Sequence, residues 1–244
     1  MFQPLAIQSY CYRHFKQIPV LIELLKSSGV SSTELCASHA NFIDPSTHAG
    51  VIEQFRKASV QLIAIGVERL TGNIEQDRPR FEFCKAAGIK NMSFTFAPES
   101  MWDGVRNIEK LAERYDMKLG IHNHGGYDWL GNPTMLKYIF SKTGPRIGLH
   151  LDTAWAIDAK QNPVQMAEQF ADRMFGIHVK DFVYDRARVP KDVVIGTGNL
   201  DLPRLMQMLK QINFTGPLVI EYEGDVENPV PVLKQCVNAM QKAM

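Results

Sequence analysis

The chain has 244 residues, 45% hydrophobic and 22% charged, a mixture that suits a soluble protein with a sizeable core. Its 27 Lys and Arg nearly balance 26 Asp and Glu, for a formal net charge of +1. With no basic run either, the chain lacks the cationic stripe with which nucleic-acid binders displace counterions.

No stretch approaches the roughly 18 uninterrupted apolar residues of a membrane span. The amino terminus, Met1-Phe2-Gln3-Pro4-Leu5, lacks the basic-then-apolar order of a secretory signal, so a cytoplasmic protein is expected.

Short β-type runs alternate with longer helical patterns. The predicted strands are Leu5–Tyr10, Thr33–Cys36, Leu62–Gly66, Asn91–Phe96, Lys118–His122, Ile147–Asp152, Gly176–Lys180 and Leu218–Glu221. Between them, apolar residues recur at intervals of three and four. Ile18, Leu21, Ile22 and Leu25 form one such face, Ile108, Leu111, Ala112 and Tyr115 a second, and Leu202, Leu205, Met206 and Leu209 a third. Gly29 and Gly88 read as helix stops, because glycine tolerates the left-handed conformation that ends a helix. Asn162-Pro163 and Asn228-Pro229 read as a cap followed by a first helical turn.

Eight β-then-α units at roughly 30-residue spacing predict parallel strands with crossover helices, and eight in this length favour a closed (β/α)₈ TIM barrel. An open doubly wound sheet would carry a glycine-rich turn after an early strand. Leu5–Tyr10 instead runs into Cys11-Tyr12-Arg13-His14. No Pro-, Gly- or Ser-rich linker interrupts the chain, so one domain spanning 1–244 is expected. Cys11, Cys36, Cys84 and Cys236 lie far apart without CxxC spacing, which predicts buried, reduced thiols.

In such a barrel the chemistry gathers at the C-terminal ends of the strands. Strand five ends in His122-Asn123-His124, strand six in Asp152, strand seven in His178-Val179-Lys180 and strand eight in Glu221-Tyr222-Glu223. Imidazole with carboxylate suits zinc, manganese, cobalt or iron better than calcium. His122, Asp152, His178 and Glu221 are therefore the candidate metal ligands, although Asp152-Thr153 would also cap a helix.

His124 lies two residues beyond His122 and Lys180 two beyond His178, so each shares its neighbour's face. With Glu221 they are the candidate proton carriers. Glu34, near the end of strand two, is a candidate substrate contact, with a plain surface role or a supporting role behind the ligands as the alternative. Trp102, Trp129 and Trp155 follow strands four, five and six, where aromatic rings can stack on a sugar. His150 precedes Asp152 by two and should point into the barrel one layer deeper. Gly196-Thr197-Gly198 reads as a plain turn, with backbone N–H groups that could otherwise face an anion.

These motifs resemble the xylose-isomerase-like barrels of the sugar phosphate isomerase/epimerase superfamily, which includes hydroxypyruvate isomerase, ketose 3-epimerases and inosose dehydratase. The resemblance runs from Ile7-Gln8-Ser9-Tyr10 to Val219-Ile220-Glu221-Tyr222-Glu223. Its best markers are Asn123-His124-Gly125, Leu151-Asp152-Thr153, Ile177-His178-Val179-Lys180-Asp181 and Gly196-Thr197-Gly198-Asn199-Leu200-Asp201.

It implies one divalent metal ion (manganese, zinc, cobalt or magnesium) held by Glu, Asp, His and Glu from successive late strands, and a small sugar substrate. The implied reaction is isomerisation or epimerisation through an enediolate, with a lyase of the inosose-dehydratase kind as the alternative. Asp152, His178 and Glu221 match the pattern. His122 stands where the family usually has Glu, which makes the ligand shell less negative and removes one of the two glutamates that epimerases use as opposed proton carriers. Trp155 replaces a common His. A homo-oligomer is compatible with the sequence, and no membrane or nucleic-acid partner is expected. A repair endonuclease, which shares the fold, and a non-catalytic barrel are the remaining alternatives.

Overall fold

A computed structural model describes residues 2–244. Eight strands close into a parallel barrel: β1 (Ala6–Gln8), β2 (Ser32–Leu35), β3 (Gln61–Leu70), β4 (Asn91–Phe96), β5 (Lys118–His122), β6 (Ile147–Asp152), β7 (Met174–Val179) and, after a two-stranded excursion, β10 (Leu218–Ile220). The excursion is an antiparallel hairpin of β8 (Phe182–Tyr184) and β9 (Pro190–Asp192). Around the barrel circle, β10 pairs with β1 on one side and β7 on the other. The predicted (β/α)₈ TIM barrel is therefore the observed fold.

The connecting helices are α1 (Ile18–Ser27), α2 (Pro45–Lys57), α3 (Ile74–Ala87), α4 (Asp103–Arg114), α5 (Pro133–Lys142), α6 (Thr153–Asp158), α7 (Pro163–Gln169), α8 (Leu202–Gln211) and α9 (Val230–Ala243). Their apolar stripes face the strands. Ile18, Leu21, Ile22 and Leu25 of α1 are buried, as are Ile108, Leu111 and Ala112 of α4 and Leu202, Leu205, Met206 and Leu209 of α8. Gly88 ends α3 in the left-handed region at φ 74°. Asn162 caps α7 by accepting from the N–H groups of Val164 and Gln165. Asn228 does not cap α9, which begins a residue later with Pro229 in the cap position.

Other differences lie at strand ends. β3 runs four residues beyond its predicted end, to Leu70, through a register shift against β4. β7 starts and stops earlier than predicted, because its apolar residues Met174 and Phe175 belong to the strand. All four cysteines are buried and free. No helix among the described residues is long and apolar enough to cross a membrane.

Candidate metal centre

The strand ends bring four ligand-type side chains together at the mouth of the barrel. His122, Asp152, His178 and Glu221 each offer one atom, all within 4.8 Å of one another, and all four residues are buried. Backbone pinning holds them there. Asn123 Nδ2 donates to the Asp152 carbonyl at 2.9 Å, while the Asp152 N–H donates to Asn123 Oδ1 at 2.8 Å, so β5 fixes the end of β6. Thr153 Oγ1 donates to the Lys180 carbonyl at 2.6 Å and accepts its N–H at 2.9 Å, which ties β7 to the start of α6.

Asp152 fills both roles that its sequence position allows. Its Oδ1 caps α6 by accepting the Trp155 N–H at 2.8 Å. Its Oδ2 is buried without a hydrogen-bond partner, as are His122 Nε2 and His178 Nδ1. The nearest approaches among these atoms are His122 Nε2 to Asp152 Oδ2 at 3.6 Å and His178 Nδ1 to Glu221 Oε2 at 3.0 Å. The latter pair is close but out of line for a hydrogen bond. Buried polar atoms left unpaired carry a desolvation penalty of about 1–3 kcal/mol each. Two nitrogens and two carboxylates with lone pairs facing one another are the donor set and convergence that a divalent cation relieves, so the residues present fit a metal.

A cavity of about 350 Å³ opens above this cluster. Its wall includes Gln8, Tyr10, Cys36, Val67, Thr95, His122, His124, Trp155, Glu221 and Glu223. The His124 ring stacks on Trp155, with centroids 4.1 Å apart at 25°. Burial and the neighbouring His122 lower the His124 pKa, so it is a neutral imidazole near pH 7.

Lys180 is fully buried. It ion-pairs with Glu223, stands 3.9 Å from Asp192 of β9, and lies 5.1 Å from the Trp155 ring centroid. Burial alone would lower the pKa of its ammonium, but the charges of Glu221, Asp152, Glu223 and Asp192 outweigh that and raise it. Burial would likewise raise the Glu221 carboxyl, and Lys180 and His178 pull it well below the ordinary range. Asp192 accepts the Glu223 N–H at 3.0 Å. Burial pushes its carboxyl up to about 6.

Several sequence candidates stand elsewhere. Glu34, expected as a substrate contact, is fully buried beneath the cavity, with its carboxylate engaged by Ser93 and His178. Its strand alternation gave the right face but not the depth. Trp129 packs edge-on against Phe96 at 5.1 Å and Trp102 against Tyr138 at 5.5 Å. Neither belongs to the cavity wall, so of the three tryptophans only Trp155 lines it.

His150 does sit in the barrel interior, its ring centroid 4.2 Å from that of His178. The room for it comes from glycine, since a Cβ at Gly120 or Gly176 would overlap the His150 side chain. Burial and the adjacent His178 keep His150 neutral by lowering its pKa well below the ordinary value.

The Gly196-Thr197-Gly198 turn has an internal anion. Asp181 accepts the N–H groups of Gly196 and Gly198 on Oδ2 and those of Asn199 and Leu200 on Oδ1, at 2.8–2.9 Å. Sequence reasoning missed Asp181, Asn123, Thr153 and Asp192. The first three stand inside the motifs that carry the family resemblance, which was the available signal. Asp192 lies in a three-residue strand too short to show periodicity.

Comparison with known proteins supplies the wider setting. Residues 22–243 match the model of the xylose isomerase-like TIM barrel family. The rhizopine catabolism protein MocC of Rhizobium meliloti is 26% identical over 149 residues, covering 54% of this chain and 46% of that protein. Inosose dehydratase of Clostridium beijerinckii is 25% identical over 143 residues, covering 52% of this chain and 48% of that protein. The chain thus spans about half the length of the curated relatives it matches. Among solved structures, 3-keto-D-glucoside 4-epimerase YcjR from E. coli superposes with a TM-score of 0.76 at 15% identity, over 98% of this chain and 99% of that one. That likeness speaks for the fold.

Proposed function

The chain belongs to the xylose isomerase-like TIM barrel family, and from that premise we propose that it is a divalent-metal-dependent lyase acting on a small keto-sugar or keto-cyclitol. One observation carries this choice over epimerisation. Both carboxylates of the cavity wall, Glu221 and Glu223, come from the end of β10. The opposite wall, from β3 and β4, offers Gly66, Val67 and Thr95 and no carboxylate. Two opposed carboxylates exchanging protons across a substrate carbon are therefore not available. An elimination needs only one base and one acid.

His122 Nε2, Asp152 Oδ2, His178 Nδ1 and Glu221 would hold the ion, and when bound it would polarise a substrate carbonyl and acidify the adjacent C–H. Glu221, ionised at neutral pH, takes that proton. The electron pair moves through the enolate to the β-carbon, whose C–O bond breaks. The departing oxygen takes a proton from the Lys180 ammonium, so the products are an unsaturated ketone and water. Glu223 and Asp192 keep Lys180 charged and in place. Trp155 and Tyr10 supply apolar surface for the ring carbons of the substrate. The inosose dehydratase named among the relatives supports this reading.

A second reading, isomerisation through an enediolate, is favoured by His124, a neutral imidazole in the cavity wall that could return a proton to the neighbouring carbon. The experiment that separates them incubates the protein and Mn²⁺ or Co²⁺ with a panel of keto-sugars and keto-cyclitols in D₂O. Loss of water with an unsaturated product supports the lyase. A deuterated isomer without water loss would replace it with the isomerase, and no turnover of any member would sink both.

A further inference from the structure

We infer that Glu34 is a positioning residue that holds His178 as the tautomer protonated on Nε2 and so presents Nδ1 to the metal. The inference rests on the reading of His178 as a ligand and concerns a residue of the opposite half of the barrel, on β2.

The two ring nitrogens of His178 have different surroundings. Nε2 lies 3.0 Å from Glu34 Oε2 in good hydrogen-bonding geometry. Nδ1 faces Glu221 and Asp152 with no hydrogen-bond partner. A carboxylate only accepts, so a proton on Nε2 satisfies both ring and acid, whereas a proton on Nδ1 would leave lone pairs of Nε2 and Glu34 facing each other in a dry interior. A ligating histidine gains basicity and a fixed ring orientation when its other nitrogen donates to a carboxylate.

Glu34 is itself clamped. Ser93 Oγ of β4 donates to Oε1 at 2.5 Å. Gly66 of β3 permits that approach, because a Cβ there would overlap both Ser93 Oγ and Glu34 Oε1. Three early strands therefore meet at Oε1, and fixing that oxygen leaves Oε2 of the same carboxylate to meet His178. Glu34 also lies with His150 and His178 in a group compact enough to hold a cation of its own. The His178–Glu34 hydrogen bond and the saturation of Oε1 by Ser93 favour a proton there, with His150 Nε2 at 3.8 Å left as a bystander.

The test uses the full chain and Co²⁺ as probe, reading dissociation constant, stoichiometry and visible spectrum. Wild type is expected to bind one Co²⁺ per chain. Glu34→Ala should weaken binding by about 10- to 100-fold and alter the spectrum. Glu34→Gln, whose amide oxygen still accepts from Nε2, should recover most of both. Equal affinity and spectrum in all three proteins would overturn the inference while leaving the metal site intact. A second Co²⁺ per chain lost on Glu34→Ala would also overturn it. Failure of wild type to bind any Co²⁺ would instead remove the proposed metal function, and this inference with it.

If Glu34→Ala does not fold, ¹⁵N-histidine spectra of the zinc-loaded wild type decide, with the His178 signal assigned by its loss in His178→Gln. A protonated Nε2 with a metal-bound Nδ1 is expected, and the reverse pattern overturns the assignment.

Discussion

From β5 to β10 the rim of the barrel carries His122, His124, Asp152, His178, Lys180, Glu221 and Glu223. From β1 to β4 it carries Gln8, Tyr10, Cys36, Val67 and Thr95. The late half is charged, and four of its ring or carboxylate atoms, His122 Nε2, His150 Nε2, Asp152 Oδ2 and His178 Nδ1, are buried without partners. The early half is neutral at the cavity: Glu34 lies underneath with both oxygens engaged, and Glu68 of β3 pairs with Arg80. A barrel can thus divide its labour by angle around the axis. One arc supplies reactive groups whose burial is costly unless a ligand compensates it, and the other supplies shape and support from below.

Substitutions on each arc test that division. The largest effect is expected for Glu221→Gln, which removes the proposed base: turnover should fall by about 10²–10⁴. A fall under tenfold in steady-state kcat would move the base elsewhere. Lys180→Met removes the buried ammonium paired with Glu223 and should cost about 10²–10³ in kcat, the scale of one electrostatic donor to a developing oxyanion. Rates should be compared on protein whose thermal melt is retained.

Asp192→Asn tests the electrostatic coupling through stability. The folded carboxyl sits at about 6 against an ordinary 3.8, so between those values the folded state binds the proton more tightly than the unfolded chain. Wild-type stability is thus favoured below the ordinary value and falls as pH rises through about 6. In EDTA, the stability of Asp192→Asn relative to wild type should rise by about 1–2 kcal/mol between pH 4 and pH 7, a shift of about 2 pK units at about 1.36 kcal/mol each, reduced for partial exposure. A pH-independent difference would mean that Asp192 titrates normally.

Trp155→Leu should raise KM by roughly 3- to 10-fold with little change in kcat, the scale of one aromatic contact. On the early arc, Thr95→Val should alter kcat/KM by less than about threefold. A larger loss there would show that the two arcs share the chemistry after all.

Much of this arrangement was legible in the sequence. β4, β5 and β6 begin and end where predicted, because β5 and β6 stop at the polar residues His122 and Asp152 and β4 stops before the turn at Ala97-Pro98. The four metal-type residues share the rim because period-two alternation and a common strand direction place them there. Depth was not legible. Glu34 follows a register shift between Thr33 and Glu34, and whether its carboxylate rises into the cavity or sinks beneath it depends on Ser93 and on the missing side chain of Gly66. Trp102 and Trp129 follow the right strands, but the aromatic partners that draw them away, Tyr138 and Phe96, are set by tertiary packing. The hairpin β8–β9 escaped because its strands are three residues each.

The Asp181 carboxylate, which accepts four backbone N–H groups, also bears on how the chain assembles. Its partners lie only 15–19 residues downstream. The excursion between them contains a complete hairpin, whose closure costs little chain entropy beside that of joining β10 to β1 across the whole length. The segment from Asp181 to Leu200 is therefore a local cooperative unit. In hydrogen exchange its four clamped amides should open together, on a schedule separate from the barrel seam.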